Sequence, residues 1–262
     1  MTVALVDGDI VVFRCAASAN NDPVDVAIHR ADKLMQEILD ATRAEQYRCF
    51  LSPSKNFRYD LYPEYKANRR DVVDPVHRQA VKDFLVTAWE AEIFDGYEAD
   101  DALAWSQTEK SIICTIDKDL KQVEGEHYNF VKFERDTITK SQGLQNFYAQ
   151  VLTGDTSDNL IGIRGIGPVK AIKYIGECYT EQEMFDTVYE MYQDKHQLAT
   201  NLMCMWLCRQ QGETWLQNQR NSGLIIPSEF EPVVVQMYES TRFFTNENRK
   251  AETSICLSMG KI

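Results

Sequence analysis

"VALVDGD", residues 3–9, sets a short β-branched and aliphatic run against an acidic turn. The run reads as a buried strand, and its stop at Asp7-Gly8-Asp9 puts carboxylates at a strand's carboxyl end. Outward from there, strands and helices alternate. From Asp22-Pro23 to about Glu45, Ala27, Ala31, Leu34, Met35, Ile38 and Leu39 recur at helical spacing, with Asp22 as the expected cap and Pro23 at the first helical position. "YRCFL" (47–51) is a second buried strand. Asp74-Pro75 opens a helix with Ala80, Val81, Phe84, Leu85, Ala88 and Trp89 on one side, and "AEIF" (91–94) is a third strand. A helix over about 98–109, a strand "SIICTI" (111–116), the acidic turn "DKD" (117–119) and a strand "YNFVKF" (128–133) follow. This alternation predicts an α/β fold on a mainly parallel sheet.

After about residue 143 the pattern changes to helices: "GLQNFYAQVLTG" (143–154), a glycine-containing hairpin, and segments near 180–194 and 197–211. "FEPVVVQM" (230–237) suits a strand or a helix equally. No internal repeat, low-complexity tract or Gly/Ser linker interrupts the chain. The expected division is therefore 1–150 and 151–262.

With 44% apolar residues and 11% aromatics in 262 residues, the chain can bury a full core. The 40 acidic against 28 basic residues, net −12, exclude a surface coated in positive charge. Seven cysteines, scattered from Cys15 to Cys256 without a Cys-x-x-Cys pair, suggest neither a disulfide framework nor a thiolate zinc site. Cys204 and Cys208, one helical turn apart without nearby histidines, read as packing residues. No apolar run approaches eighteen residues, and no basic segment followed by an apolar one opens the chain; a cytosolic protein with no membrane partner is expected.

The acidic residues recur at one structural place. Asp7 and Asp9 follow the first strand; Glu98, Asp100 and Asp101 begin a helix just after a strand; Asp117 and Asp119 follow "SIICTI"; Asp155 and Asp158 follow a helix. In a parallel sheet the carboxyl ends of the strands face one crevice, so such groups converge despite their separation in sequence. Taken singly, each cluster has an ordinary reading as a turn or a helix start. Together they make a negative pit that needs cations, because adjacent like charges oppose one another's ionisation. Oxygen ligands without histidine or cysteine suit Mg²⁺ or Mn²⁺. Two such ions about 4 Å apart activate water and stabilise both oxygens of a phosphodiester displacement.

"GIRGIGPVKA" (162–171) is locally basic in an acidic chain. Gly165 and Gly167 permit a tight hairpin with positive backbone φ, and Pro168 begins a helix whose N–H groups point at an anion. Arg164, Lys170 and Lys173 add charge, and a hairpin of this kind grips a phosphate backbone without reading bases. The segment 52–74 gathers Lys55, Arg58, Tyr62, Tyr65, Lys66, Arg69 and Arg70.

"YEADDALA" (97–104), "TIDKDL" (115–120), "GDTSDNLIGIRGIGPVKA" (154–171) and "LYPEYKANRR" (61–70) resemble the motifs of the 5′-nuclease family: flap endonucleases, the 5′-nuclease domain of bacterial DNA polymerase I, and bacteriophage 5′-3′ exonucleases, the last being most similar in size. The resemblance covers roughly residues 3–176. It implies a PIN-like core with a helical arch at about 52–82, a helix-three turn-helix DNA clamp at about 154–176, and a helical C-terminal part. It further implies an enzyme that cleaves DNA bearing a 5′ end or flap, as exonuclease and structure-specific endonuclease, in replication, primer removal or host DNA degradation. A phage-encoded protein of this kind would work in the host cytoplasm. Asp7, Glu98, Asp100 and Asp101 would serve mainly one Mg²⁺ or Mn²⁺, and Asp117, Asp119, Asp155 and Asp158 a second. Lys66 and Arg69 would act on the scissile phosphate, Arg58 and Tyr65 would contact DNA, and Tyr65 would stack on a base or pack beneath the arch. Arg164, Gly165, Gly167 and Lys170 would hold duplex backbone, with K⁺ at the hairpin.

One departure stands out: the family places an aspartate just after its second strand, whereas "CFLSPSKNFR" (49–58) has none, so a metal ligand is either missing or replaced, with Ser52 as the candidate replacement. Two rival readings are a DNA-structure-binding protein without turnover and a PIN-type ribonuclease.

Overall fold

Val3–Asp7, strand β1, lies at the middle of a six-stranded sheet in the computed structural model, which describes residues 1–241. Cys256 lies outside the described residues. The other strands are β2 (Gln46–Leu51), β3 (Glu92–Ile93), β4 (Ser111–Cys114), β5 (Gly125–Asn129) and β6 (Glu134–Ile138), in the order β3-β2-β1-β4-β5-β6. All pairs are parallel except β5 with β6. β1 and β4 are buried runs without alternation, as strands covered on both faces require. β6 escapes the sequence pattern because "ERDTI" is exposed except at Ile138, the charged composition that keeps an edge strand from pairing with another chain. β5 also begins before the expected "YNFVKF".

The chain divides into two units, one of residues 1–54 and 71–147 and one of residues 55–70 and 148 onward. The segment 55–70, assigned to the first part in the sequence reading, belongs to the second.

In the first unit, α1 (Gly8–Ser18) and α2 (Val24–Thr42) pack on the sheet. α3 (Arg58–Leu61) belongs to the second unit, and α4 (Arg78–Ala88) joins α1 and α2. Their core includes Val6, Val11, Ala16, Ala27, Ala31, Met35, Ile38, Val81 and Leu85. α1 was not legible as a helix, since "IVVF" after the acidic turn is β-branched and apolar like a strand; the chain turns at Gly8, where a Cβ would lie 2.5 Å from the Phe50 carbonyl oxygen. At α2 the cap differs from expectation: Pro23 holds the N-cap position with no side-chain cap, and Asp22 pairs with Arg30 at 3.0 Å. α5 (Ala99–Ser106) packs against β1 and β2, with Trp105 edge-on to Phe94 and Tyr97 at centroid distances of 5.2 and 5.1 Å.

α6 (Lys140–Thr153) leads from the first unit into the second, which continues with the hairpin β7 (Gly154–Asp155) and β8 (Leu160–Ile161). Helices α7 (Pro168–Gly176), α8 (Glu181–Met191), α9 (Lys195–Met205), α10 (Trp215–Ser222) and α11 (Glu231–Ser240) follow. "FEPVVVQM" is thus helical, with Pro232 in the first turn where its missing N–H costs nothing. Phe185 stacks on Trp215 at 5.7 Å and meets Phe230 at 6.3 Å, forming an aromatic core. Cys204 and Cys208 are both buried. Within 52–82 the helical pieces are α3, a single 3-10 turn at Ala67–Arg69 and the start of α4. Among the described residues no helix is long and apolar enough to cross a membrane.

Candidate active site

Strand order reverses at β1, which has β2 on one side and β4 on the other. The crevice beyond the carboxyl ends at such a point is where α/β sheets bind ligands. Asp7 ends β1 and is 2% exposed. Its carboxylate caps α1 by accepting the Ile10 N–H at 3.2 Å, and its other oxygen accepts the Thr115 hydroxyl at 2.7 Å. Thr115 in turn accepts the Asp117 N–H at 3.0 Å, and Asp117 accepts the Asp119 N–H at 2.8 Å. One hydrogen-bonded chain therefore ties the acidic turn after β1 to the acidic turn after β4.

A second chain runs the other way. Both oxygens of Asp9 accept the Ser52 N–H, at 3.3 and 3.1 Å, and the Ser52 hydroxyl accepts the Ala99 N–H at 2.9 Å. Glu98 and Asp101 cap α5 reciprocally, the Asp101 carboxylate accepting the Glu98 N–H at 3.1 Å. Asp101 is fully buried and Glu98 nearly so, while Asp100 on the same turn is partly exposed.

Burial is the main reason the Asp7 carboxyl is pushed up to about 7; neighbouring Asp9 adds to it, the Thr115 and Ile10 hydrogen bonds oppose it, and Asp117 raises it further. A carboxylate so placed gains most from a nearby cation. The donor set is oxygen only, which fits a hard divalent ion. Among the described residues, no three His, Cys, Asp or Glu side chains close into a direct metal cage. Mg²⁺ does not need one, because it keeps several waters and takes one or two carboxylates.

The end of β2, where the resemblance led to the expectation of an aspartate, carries Leu51, 1% exposed in the hydrophobic core, and Ser52, whose hydroxyl is committed to α5. The negative charge beside β2 comes instead from Asp9, across the Ser52 N–H. Thr115 and Lys82, whose ammonium donates to the Ser52 carbonyl at 2.6 Å, were missed from sequence. Thr115 was findable: a threonine two residues before an aspartate after a strand forms this kind of turn.

In the second unit, Asp155 is buried, and one of its oxygens accepts from the Ser157 N–H at 2.7 Å, the Ser157 hydroxyl at 2.5 Å and the Asp158 N–H at 3.3 Å. Asp158 accepts the Tyr65 hydroxyl at 2.7 Å and Arg69 Nη2 at 2.7 Å, with Lys66 Nζ at 3.8 Å. Tyr65 is 1% exposed, which favours the packing alternative over stacking on a base and corrects the expectation that it contacts DNA; a second expectation is corrected as well. Arg58, also 1% exposed, donates to the carbonyls of Cys204 at 2.7 Å and Trp206 at 2.9 Å, a structural role that removes it from any DNA-facing surface.

In the hairpin, Gly165 has φ +84 with open space where a Cβ would stand, and Lys170 Nζ donates to its carbonyl at 2.9 Å. Gly167 differs from expectation: with φ −97 it is the N-cap of α7 and needs no left-handed conformation. Arg164 and Lys170 are exposed, as are Val169 and Ile172 on α7.

The description "5′-3′ exonuclease, N-terminal resolvase-like domain" matches residues 2–150. A 5′-3′ exonuclease of Aquifex aeolicus is 31% identical over 48% of this chain and 50% of its own length. DNA polymerase I of Borreliella burgdorferi is 33% identical over 56% of this chain, and that of Deinococcus radiodurans 29% over 72%. The chain spans 18% and 22% of the length of those two polymerases. Among solved structures, bacteriophage T5 flap endonuclease in a pseudo-enzyme-product complex with DNA and metal ions aligns with TM-score 0.61 at 16% identity, covering 92% of this chain and 99% of that one. Bacteriophage T5 5′-exonuclease with bound zinc aligns with TM-score 0.58 at 16% identity, over 92% of this chain and 100% of that one. The fold of those nucleases is the fold of this chain.

Proposed function

The chain belongs to the family of 5′-3′ exonuclease N-terminal, resolvase-like domains, and from that membership we propose that it hydrolyses DNA phosphodiester bonds as a Mg²⁺-dependent 5′-3′ exonuclease and flap endonuclease. The observation that carries the reading is the Asp7 carboxyl, bonded through Thr115 to the Asp117 turn and pushed up by burial first and then by Asp9 and Asp117, at the point where strand order reverses. A protein does not assemble mutually repelling carboxylates at a sheet's ligand-binding edge for stability; they accumulate where a cation is to be held.

Asp7, Glu98, Asp100, Asp101, Asp117 and Asp119 of the first unit are the proposed metal-binding groups there, and Asp155 and Asp158 those of the second. When bound, the divalent ion supplies a nucleophilic water at neutral pH and offsets charge on the phosphodiester oxygens. Lys66 and Arg69 stabilise negative charge as it develops on the reacting phosphate. Arg164, Gly165, Gly167 and Lys170 hold the duplex backbone through charge and through the N-terminal N–H groups of α7, with K⁺ at the hairpin. The substrate is duplex DNA with a 5′ end or flap.

The test is incubation of 5′-labelled flap DNA, blunt duplex and RNA with Mg²⁺ or EDTA. Mg²⁺-dependent release of short fragments from flap and duplex DNA is expected. Cleavage of RNA alone, or binding of flap DNA without any product, would replace this reading.

A further inference from the structure

Lys66 and Arg69 can serve a reacting phosphate only if the loop that carries them is fixed. The structure shows what fixes it. The Lys66 N–H donates to the Asp158 carbonyl at 3.0 Å, Asn68 Nδ2 to the Thr156 carbonyl at 2.5 Å, and Arg69 Nε to the Ser157 carbonyl at 2.8 Å. From the facing turn, Asn159 Nδ2 donates to the Glu64 carbonyl at 2.8 Å. Residues 64–69 are thereby fastened, main chain and side chain, onto residues 156–159.

Tyr65 completes the fastening in two directions. Its hydroxyl donates to Asp158 at 2.7 Å, and its ring lies beneath the Lys66 ammonium, 4.9 Å from Nζ to the centroid. Tyr59 packs edge-on to that ring at 5.5 Å, so the ring is held while it holds the lysine. Lys66 has left-handed backbone, φ 54, a conformation that persists for a lysine only when surrounding contacts over-determine it, while Asn159, φ 59, is a residue type that adopts it readily. Arg69 is gripped by Nε and Nη2, yet its side chain stays 50% exposed and Nη1 makes no hydrogen bond among the described residues, which leaves a donor for an anion.

We propose that Tyr65 and Asn68 are positioning residues for Lys66 and Arg69: they lock the 64–69 loop to the turn bearing Asp155 and Asp158, so that both cations are presented in a fixed geometry. The inference rests on the nuclease reading above. Its physical basis is that electrostatic help to a transition state requires donors held in place beforehand, and that displacement of about 1 Å can cost up to about a hundredfold in rate.

Tyr65→Phe removes only the hydroxyl, and Asn68→Ala removes one exposed amide. Single-turnover cleavage of 5′-flap DNA and equilibrium binding of the same DNA are measured for both, together with amide hydrogen exchange over residues 62–70 in metal-free protein. Each variant is expected to cleave about tenfold more slowly, with DNA affinity within about twofold of wild type and faster exchange at Lys66. Asn68→Gln, which can still donate to the Thr156 carbonyl, should recover part of the rate. Wild-type rates in both variants, or rate losses matched by equal losses of DNA affinity, overturn the proposal. Failure of the wild-type protein itself to cleave overturns the nuclease reading and this inference with it, whereas a cleaving wild type with unaffected variants overturns the inference alone.

Discussion

Asp9 grips the Ser52 N–H with both carboxylate oxygens, at 3.3 and 3.1 Å, and thereby brings to the end of β2 a negative charge that β2 itself does not carry. Asp9 is also the largest charged contributor to the raised Asp7. In metal-free protein Asp9→Asn should therefore be stabilising, by about 1 kcal/mol, because it relieves repulsion while the amide oxygen still accepts one hydrogen bond. The same variant should gain less stability than wild type from added Mn²⁺. Urea unfolding with and without Mn²⁺ measures both; a variant less stable without metal, or stabilised by Mn²⁺ as much as wild type, would show that Asp9 serves only as a strut for Ser52.

Arg58→Ala should unfold the second unit more readily. The buried guanidinium ties the Cys204 and Trp206 carbonyls, and losing it leaves those groups and a cavity behind, at a cost of about 3 kcal/mol. Denaturant unfolding reads that cost directly. Unchanged stability with weakened DNA binding would return Arg58 to the DNA-facing surface from which its burial removes it.

Lys170→Ala is expected to act on binding alone. Its ammonium is exposed beside Gly165, so its loss should weaken duplex affinity evenly across sequences and lower the slope of log K against log salt by about one unit. Single-turnover cleavage at saturating DNA should stay at the wild-type rate. A flat salt response relative to wild type would place α7 outside the DNA contact.

His127 gives the first unit a pH dependence. Burial lowers its pKa below the ordinary histidine value and nearby Lys121 lowers it further, while the Nε2–H donated to the Val123 carbonyl at 2.8 Å, Asp136 and Glu126 oppose the shift. The folded protein thus prefers the neutral ring. The stabilisation is fully present above about pH 6.5, the unfolded value, and is lost as pH falls below it, because the unfolded chain then binds the proton more readily. Between pH 7.5 and 5.5 wild type should lose more stability than His127→Gln, and equal losses would exclude the ring as the cause.

The parallel sheet was legible because β1, β2 and β4 are short apolar runs that stop at polar turns, and the carboxylates of the first unit were legible because they follow strands, whereas Asp155 and Asp158 follow α6. What stayed hidden had physical reasons. α1 is masked because its "IVVF" is as β-branched and apolar as β1, and β6 carries no periodicity because Glu134 to Thr137 are exposed on both faces of the sheet. Arg58 looked like a surface group by type and Tyr65 suited stacking or packing equally; only the second unit's packing shows a guanidinium spent on carbonyls and a phenol spent on Asp158. Charge compensation across Ser52 could not be read either, since Asp9 and Ser52 meet through a backbone N–H that any residue supplies.

The central claim is that carboxylates such as Asp155 act in metal-dependent DNA cleavage and not in holding the substrate. Single-turnover cleavage of 5′-labelled flap DNA by wild type and Asp155→Asn, each with Mg²⁺ and with EDTA and each alongside a binding titration, tests it most directly. The account predicts Mg²⁺-dependent product from wild type, none from Asp155→Asn, and flap-DNA affinity for the variant within about tenfold of wild type. Cleavage that survives EDTA, or normal turnover by Asp155→Asn, would contradict it.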